Sequence, residues 1–415
     1  MVGWDKSENV AERAKITIIG AGVVGCAAAW RLSKKYDEIF VLDKNPRILS
    51  ENQSSRNSGV IHAGIYYPQD ESPLKAKLCV EGNRLLYDFC AEFDVPCRRT
   101  GKLVLAVHET ELDYLDATLK IAGQNDVPGA QLISAEEARN MEPNVRCIQA
   151  AYLPTSGIVE STKFVQKLYR LASQQGAYFL PSKKVVDIRS AAGAFIITAQ
   201  SGDDRTEVFE SEMVINSAGI FADDIARMVN PASPWEVLPI RGEAAKFYKT
   251  RRPEIDHSGL NVYPTPHGIW PDGRKADVPF AEFKALYLEK KVVTTVGVHL
   301  TPTFDLVKGH YEIGRTVTIG PATKGDISRE DLASGLFPPE HYHSLVHPFF
   351  PNLRLDDLEL HQTGIQSKLK GYHDFVIEPD PLHPRFFNLL GIDSPGLTSS
   401  LAIARTVENL MAAVG

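Results

Sequence analysis

Apolar positions along the chain fall into two textures, one of short buried runs punctuated by glycine and one of broken, aromatic-rich stretches. The first run, Lys15–Gly20, is rich in isoleucine and ends in glycine, which predicts a parallel strand covered on both faces. Gly20, Gly22 and Gly25 follow, then the apolar stretch Cys26–Leu32, which predicts a helix. A second strand is expected over Glu38–Asp43, ending in an acid. Further on, Thr162–Gln175 reads as an amphipathic helix, and Val185–Ile188, Phe195–Ala199 and Val208–Phe209 read as short strands. Met213–Gly219 and Phe386–Gly391 are strand-like runs ending in small residues, and Ser399–Leu410 reads as an apolar helix. Gly101–Glu142 and Trp235–Leu360 have the other texture, with prolines, aromatics and strand-like runs such as Thr294–Leu300 and Val317–Ile319. The expected fold is α/β with an α+β second domain. A Rossmann-type nucleotide-binding domain is predicted over 1–100, 143–234 and 361–415, with a mostly antiparallel-sheet substrate domain over 101–142 and 235–360.

The strand, glycine turn, helix, strand and acid together form a dinucleotide-binding pattern, with the acid about 20 residues beyond the first glycine. Glycines at Gly20, Gly22 and Gly25 let the backbone close on a pyrophosphate at a helix N-terminus, where free N–H groups and the helix dipole favour an anion. Asp43 is then placed to accept from a ribose hydroxyl pair. Small-residue turns recur at Ser217–Gly219 and Gly391–Thr398, far from the first. A nicotinamide site is usually built from one contiguous stretch, so three distant turns point to the longer FAD. No cysteine or histidine sits in a recognised linkage motif, so the flavin is expected to be bound non-covalently. The start of the last helix, Gly396–Thr398, is suited to stabilise negative charge on a reduced flavin ring.

Composition narrows the classes. The chain has 415 residues, 43% hydrophobic and 23% charged, with 52 acidic against 45 basic side chains and a net charge of −7. That excludes a disordered or collagen-like chain and makes a dedicated nucleic-acid binder a poor match. Met1–Ala14 carries five charges without an apolar stretch of signal length, and Ile16–Trp30 is too short to span a bilayer. No cleaved signal and no transmembrane helix are expected, although a peripheral membrane contact through a surface patch is left open. Five cysteines (Cys26, Cys79, Cys90, Cys97, Cys147) without a C-x-x-C pair read as reduced thiols in a cytoplasmic setting. His341, His343 and His347 read as a solvated loop, and no metal site is expected.

The segment Gln53–Pro68, with Ser72–Gly82 and Arg98–Leu103, resembles the L-2-hydroxyglutarate dehydrogenase/oxidase family, within the wider FAD-dependent D-amino-acid-oxidase and glycerol-3-phosphate-dehydrogenase-like superfamily. The likeness continues through Pro154–Val159, Asn216–Gly219, Arg241–Glu243, Tyr263–Pro264, Gly297–Thr301 and Ser394–Ser399. It implies a cofactor-binding set beyond the three glycines and Asp43, namely Val23, Val24, Lys44, Ser55, Arg56, Asn57, Ser58, Val186, Ala218, Gly219, Gly364, Ser394, Pro395, Gly396, Leu397 and Thr398. Two stretches depart from the pattern. One is the long segment between Pro264 and Val298, including Trp270–Lys275 and Phe280–Lys291, and the other is Thr363–Leu369.

Oxidation of a 2-hydroxy acid needs a neutral base, anchors for carboxylates and a dry pocket. Histidine is the natural base, because its ordinary pKa lies near neutrality. His62, in the glycine-flanked Gly59–Gly64 stretch, and His299, at the end of the apolar run Val292–Val298, are the candidates. The alternatives are a histidine that only hydrogen-bonds the cofactor and a plain strand-end histidine. Arg241 offers a bidentate fork to a carboxylate, and Lys75 is a second cation near Tyr66 and Tyr67. Tyr66, Tyr263 and Thr301 complete the expected substrate-binding set. The preferred substrate is L-2-hydroxyglutarate, with oxygen or a quinone as electron acceptor. Glycerol 3-phosphate or an amino acid is the competing substrate class, and a non-catalytic flavin-bearing subunit is the competing reading outside catalysis.

Overall fold

A computed structural model describes residues 10–48, 52–191, 193–202, 205–270, 275–276 and 278–414. Residues 1–9 of the charged N-terminal segment, and 271–274 of the Trp270–Lys275 stretch with Arg274, lie outside the described residues. The chain divides into two compact units. The first comprises Met1–Arg56, Ser161–Pro239 and Ile365–Gly415, and the second Asn57–Glu160 and Ile240–Gly364.

In the first unit an eight-stranded sheet is built around Val10–Ile19. That strand pairs in parallel with Ile39–Leu42 on one side and with Thr206–Asn216 on the other. Tyr178–Leu180 extends the parallel set beyond Ile39–Leu42, and Phe386–Leu390 pairs in parallel with the end of Thr206–Asn216. Lys183–Ala191 and Ala194–Ser201 form an antiparallel extension. The register sets Ile16 beside both Ile39 and Met213, so the strands end together at the glycine turn. The helix Val23–Leu32 is buried along Cys26, Ala27, Ala28 and Ala29, whose small side chains let the helices Ser161–Gln174 and Gly396–Val414 pack on it. Arg31 and Lys35 hold Glu408 of the last helix at 2.6 and 2.7 Å.

Two expected strands, Val208–Phe209 and Met213–Gly219, are one continuous strand that ends sooner, Thr206–Asn216. The polar residues Glu210, Ser211 and Glu212 break the apolar run in sequence, yet Glu210 and Ser211 lie on a ladder paired on both sides. The last helix begins at Gly396, before Ser399, because its first turn is made of buried small polar residues that hydropathy reads as loop.

The second unit holds a mostly antiparallel eight-stranded sheet, as expected. Its order is Glu359–Leu369, Val237–Tyr248, His310–Lys324, His299–Val307, Asn261–Pro264, Lys102–Ala106, Gln149–Leu153 and Gln131–Ser134, with one parallel pair between Asn261–Pro264 and Lys102–Ala106. Segments 57–100 and 143–160, expected with the nucleotide-binding part, belong here instead. Gln149–Leu153 pairs with Lys102–Ala106, and Gly157–Val159 joins Val60–Ile61 and Cys97–Arg98 in a small sheet.

Side chains alternate across a strand, which divides this sheet into two faces. Leu103, Leu105, Val262 and Leu300 lie on one face, in a core with Phe247, Phe349 and Phe350. Val104, Ala106 and Tyr263 lie on the other, with Ala63, Ile65 and Leu115. On that second face the strands also carry Lys102, Asn261, His299 and Thr301, all buried.

Candidate active site

The glycine turn of the first unit is a backbone structure. Gly20 has φ +101, and a Cβ there would lie 2.5 Å from the Ser217 carbonyl oxygen. A Cβ on Gly25 would lie 1.9 Å from the Gly20 oxygen, so the helix closes on the turn only with glycine at this position. Gly22, by contrast, would meet only Ser54 Oγ, at 3.2 Å. The Ala21 N–H donates to Asp43 Oδ2 at 2.7 Å and the Asn45 N–H to Oδ1 at 2.8 Å, while the Val23 N–H donates to Ser54 Oγ at 2.8 Å. Asp43 therefore holds the turn in shape. Burial pushes its carboxyl pKa up, and the N–H groups oppose that. The helix opens at Gly22 with neither a side-chain cap nor an acidic residue in its first turn. Such a start favours an anion at the helix N-terminus, and the residues fit the pyrophosphate of FAD.

Of the other expected cofactor residues in this unit, Val23 and Val24 open the helix. Lys44 lies over the Phe221 ring at 4.0 Å, and the Ser55 hydroxyl donates to the Asn52 carbonyl. Val186 is exposed at the bulge of Lys183–Ala191, and Ala218 and Gly219 lie in the turn after Thr206–Asn216. Ser394 and Pro395 lead into Gly396, Leu397 and Thr398 at the start of the last helix. Arg56 closes the first segment of the unit, whereas Asn57, Ser58 and Gly364 belong to the second unit. The Asn57 carbonyl accepts from Gln362 Nε2 at 2.9 Å.

The second unit has a different kind of site, made of side chains. Tyr263 stacks on His299 with ring centroids 3.7 Å apart and planes at 11°, and Tyr66 stacks on Tyr263 at 6.2 Å. Lys102 Nζ lies 3.8 Å from the Tyr263 ring centroid and 5.2 Å from that of Tyr66. Among the described residues, the Tyr66 and Tyr263 hydroxyls, Lys102 Nζ, His299 Nε2 and Thr301 Oγ1 are buried without a hydrogen-bond partner. Each such group costs about 1–3 kcal/mol to bury unsatisfied, so their gathering on one sheet face makes this the candidate ligand site.

Backbone contacts position the cluster. Asn83, on the long helix Pro73–Phe93, donates to the His62 carbonyl at 2.8 Å and to that of Thr155 at 3.0 Å. Asn125 donates to the Gly64 and Tyr67 carbonyls and pins the segment carrying Tyr66. His299 Nδ1 lies 3.1 Å from the Gly297 carbonyl, a partner that requires the proton on Nδ1 and leaves Nε2 as acceptor.

Burial dominates the electrostatics. It holds His62 well below its ordinary pKa, with Lys102 and His299 adding to the effect, and it brings His299 down to about 3. Lys102 is brought down to about 7, and both tyrosines are pushed up. Both imidazoles are thus neutral at pH 7, as a proton acceptor must be.

Four expected residues (Tyr66, Tyr263, His299 and Thr301) meet here, and the charge of Lys102 acts on His62 as well. Lys75 is buried in the first turn of Pro73–Phe93. Arg241 is the correction. Its guanidinium is fully buried and committed to Glu243 Oε1 at 2.7 Å, to the Asp331 carboxylate at 3.2 Å and to the Ser334 carbonyl at 2.6 Å. It holds the 331–334 loop in place and does not stand as an open carboxylate fork. Lys102 is the residue that sequence reasoning missed. Its only signal was a lysine at the head of a run, Lys102–Ala106, that is otherwise wholly apolar.

A family model described as FAD dependent oxidoreductase matches residues 15–410. The chain is 32% identical to the mitochondrial L-2-hydroxyglutarate dehydrogenase of Arabidopsis thaliana, over 97% of this chain and 84% of that protein. It is 27% identical to the human protein of the same name, over 95% and 88%. Among solved structures it is similar to the FAD-bound L-alpha-glycerophosphate oxidase of Mycoplasma pneumoniae (TM-score 0.80, 22% identity, 96% and 95% coverage) and to the glycine oxidase of Geobacillus kaustophilus (0.75, 18%, 97% and 95%). With the glycine cradle fitted to a pyrophosphate and the match running the length of both units, the chain belongs to the FAD-dependent oxidoreductases, and within them to the L-2-hydroxyglutarate dehydrogenase family.

Proposed function

We propose that this chain oxidises L-2-hydroxyglutarate to 2-oxoglutarate, with a buried neutral histidine of the second unit accepting the hydroxyl proton. FAD, held non-covalently, supplies the two-electron acceptor for the hydride leaving the α-carbon. The observation that carries this reading is the cluster of unsatisfied polar groups around His299, Tyr263 and Lys102. Tyr263 packs flat against the His299 ring and holds its plane. The Gly297 carbonyl sets the tautomer that leaves Nε2 open to a hydroxyl, which makes His299 the better-prepared base, with His62 the second neutral imidazole. Burial sets most of the cost of protonating His299 and the Lys102 charge adds to it, and a substrate carboxylate offsets the part due to Lys102.

The reduced enzyme is proposed to pass its electrons to oxygen or a quinone, which reoxidation of the reduced protein by each in turn distinguishes. No described helix is long and apolar enough to cross a membrane, and the described cysteines are all free thiols. A cytoplasmic protein with room for peripheral membrane contact is proposed, tested by separating soluble from membrane fractions. The substrate is tested by anaerobic mixing of the yellow enzyme with L-2-hydroxyglutarate, D-2-hydroxyglutarate, L-lactate and glycerol 3-phosphate. L-2-hydroxyglutarate should bleach the flavin fastest. Faster bleaching by glycerol 3-phosphate, or none by any acid, contradicts the reading.

A further inference from the structure

Among the described residues, no carboxylate balances the buried charge of Lys102. The residue is fully buried at the start of Lys102–Ala106, a strand with every side chain covered. Its Nζ has no hydrogen-bond partner among the described residues, and no described carboxylate pairs with it. The groups around it are the Tyr66 and Tyr263 rings, His62, His299 and the Cys79 thiol. None of these carries negative charge at neutral pH, since burial pushes Cys79 and both tyrosines up. A buried ammonium in such a setting is tolerated only when a counter-ion arrives or the proton leaves. Face-on contact with Tyr263 compensates part of the charge and leaves the N–H donors unused.

We propose that Lys102 is the anchor for a carboxylate of the substrate, a role that Arg241 cannot take. The inference rests on the reading of the chain as a hydroxy-acid oxidoreductase and supplies the specificity-determining residue of the same site. The Tyr66 and Tyr263 hydroxyls, also unsatisfied, belong to residues packed together on this face of the sheet. Because the empty site disfavours the charged amine, a carboxylate entering above about pH 7 brings the ammonium form with it, so ligand binding takes up a proton.

The test uses the flavin-loaded enzyme and glutarate, a dicarboxylate with no hydroxyl to oxidise. Calorimetry at pH 8.5 in buffers of different ionisation enthalpy should show proton uptake in the wild type and less in Lys102→Met. The Kd for glutarate should rise about 100-fold in Lys102→Met, in line with the loss of one partner of a buried charge pair, while flavin content and thermal stability hold or improve. Lys102→Arg should recover part of the affinity. Single-turnover reduction by L-2-hydroxyglutarate should show the loss in the apparent Kd more than in the limiting rate. An unchanged glutarate Kd in Lys102→Met overturns the proposal. So does a collapse of the limiting rate at unchanged Kd, which makes Lys102 a proton carrier, or a fall in thermal stability at unchanged Kd, which makes it a structural cation. Should Lys102→Met not fold, equal heats in all buffers for the wild type overturn it alone. Lys102-dependent glutarate binding in an enzyme that no 2-hydroxy acid reduces keeps the anion site and rejects the oxidoreductase reading.

Discussion

The glycine cradle of the first unit and the polar cluster of the second solve the same problem, holding a charged ligand, by opposite means. The cradle uses main-chain N–H groups, a helix start and a carboxylate that the protein itself satisfies, with Asp43 bonded to Ala21 and Asn45. The cluster uses side chains and leaves them unsatisfied, with Lys102, Tyr66, Tyr263, His299 and Thr301 all waiting for partners. A site of the first kind can be stable when empty and is well suited to a resident cofactor. One of the second kind carries a cost until filled, which suits a substrate that must arrive and leave.

The sharpest way to break the comparison is through the glycines. Gly22→Val should leave a folded, colourless protein, because a side chain there meets only Ser54 but occupies the approach to the cradle. Gly25→Val should fail to fold its first unit, since the Cβ would collide with the Gly20 carbonyl. Absorbance of bound flavin together with thermal melting separates these outcomes, and a folded Gly22→Val with a full flavin complement contradicts the cradle.

Arg241 sharpens the other side. Its removal leaves Glu243 buried and unpaired, so Arg241→Met should cost about 3–5 kcal/mol of stability. The surviving folded enzyme should keep its affinity for glutarate, and a selective loss of glutarate binding at full stability returns Arg241 to the substrate site.

The remaining effect is the pH dependence of stability. The Lys102 amine is held near 7 when folded against 10.5 in the open chain, so between those values the unfolded chain binds more protons. Stability should therefore rise with pH across that window, and Lys102→Met should flatten the rise. His299, held near 3 against 6.5, acts likewise lower down, so stability should fall as pH drops from 6.5 toward 3. Chemical denaturation at a series of pH values reads both slopes.

The two regions were also unequally legible in the sequence. The cradle is local, and the spacing of Gly20, Gly22, Gly25 and Asp43 carries its geometry on its face. The cluster gathers side chains from Tyr66, Lys102, Tyr263, His299 and Thr301, brought together only by the register of three strands and one pinned loop. Residue chemistry alone nominated His62, His299, Tyr66, Tyr263 and Thr301 one at a time. It could not show that Lys102 is buried, because a lysine at a strand end is usually solvated. Arg241 was misjudged for the converse reason. Glu243, two residues on and on the same strand face, was visible as a partner, but Asp331 and Ser334 come from a distant loop. In the fold, Thr206–Asn216 was read as two strands because partner strands, and not hydropathy, keep its polar middle extended.

The central claim is that the second unit carries the chemistry and the first holds the cofactor. Single-turnover reduction of the flavin by L-2-hydroxyglutarate in His299→Gln, with His62→Gln beside it, tests that most directly. The variant at the base should retain a full complement of flavin while its limiting reduction rate falls by about 10²–10⁴-fold, the usual worth of general-base catalysis. Wild-type reduction rates in both variants, or loss of the flavin itself, would contradict the account.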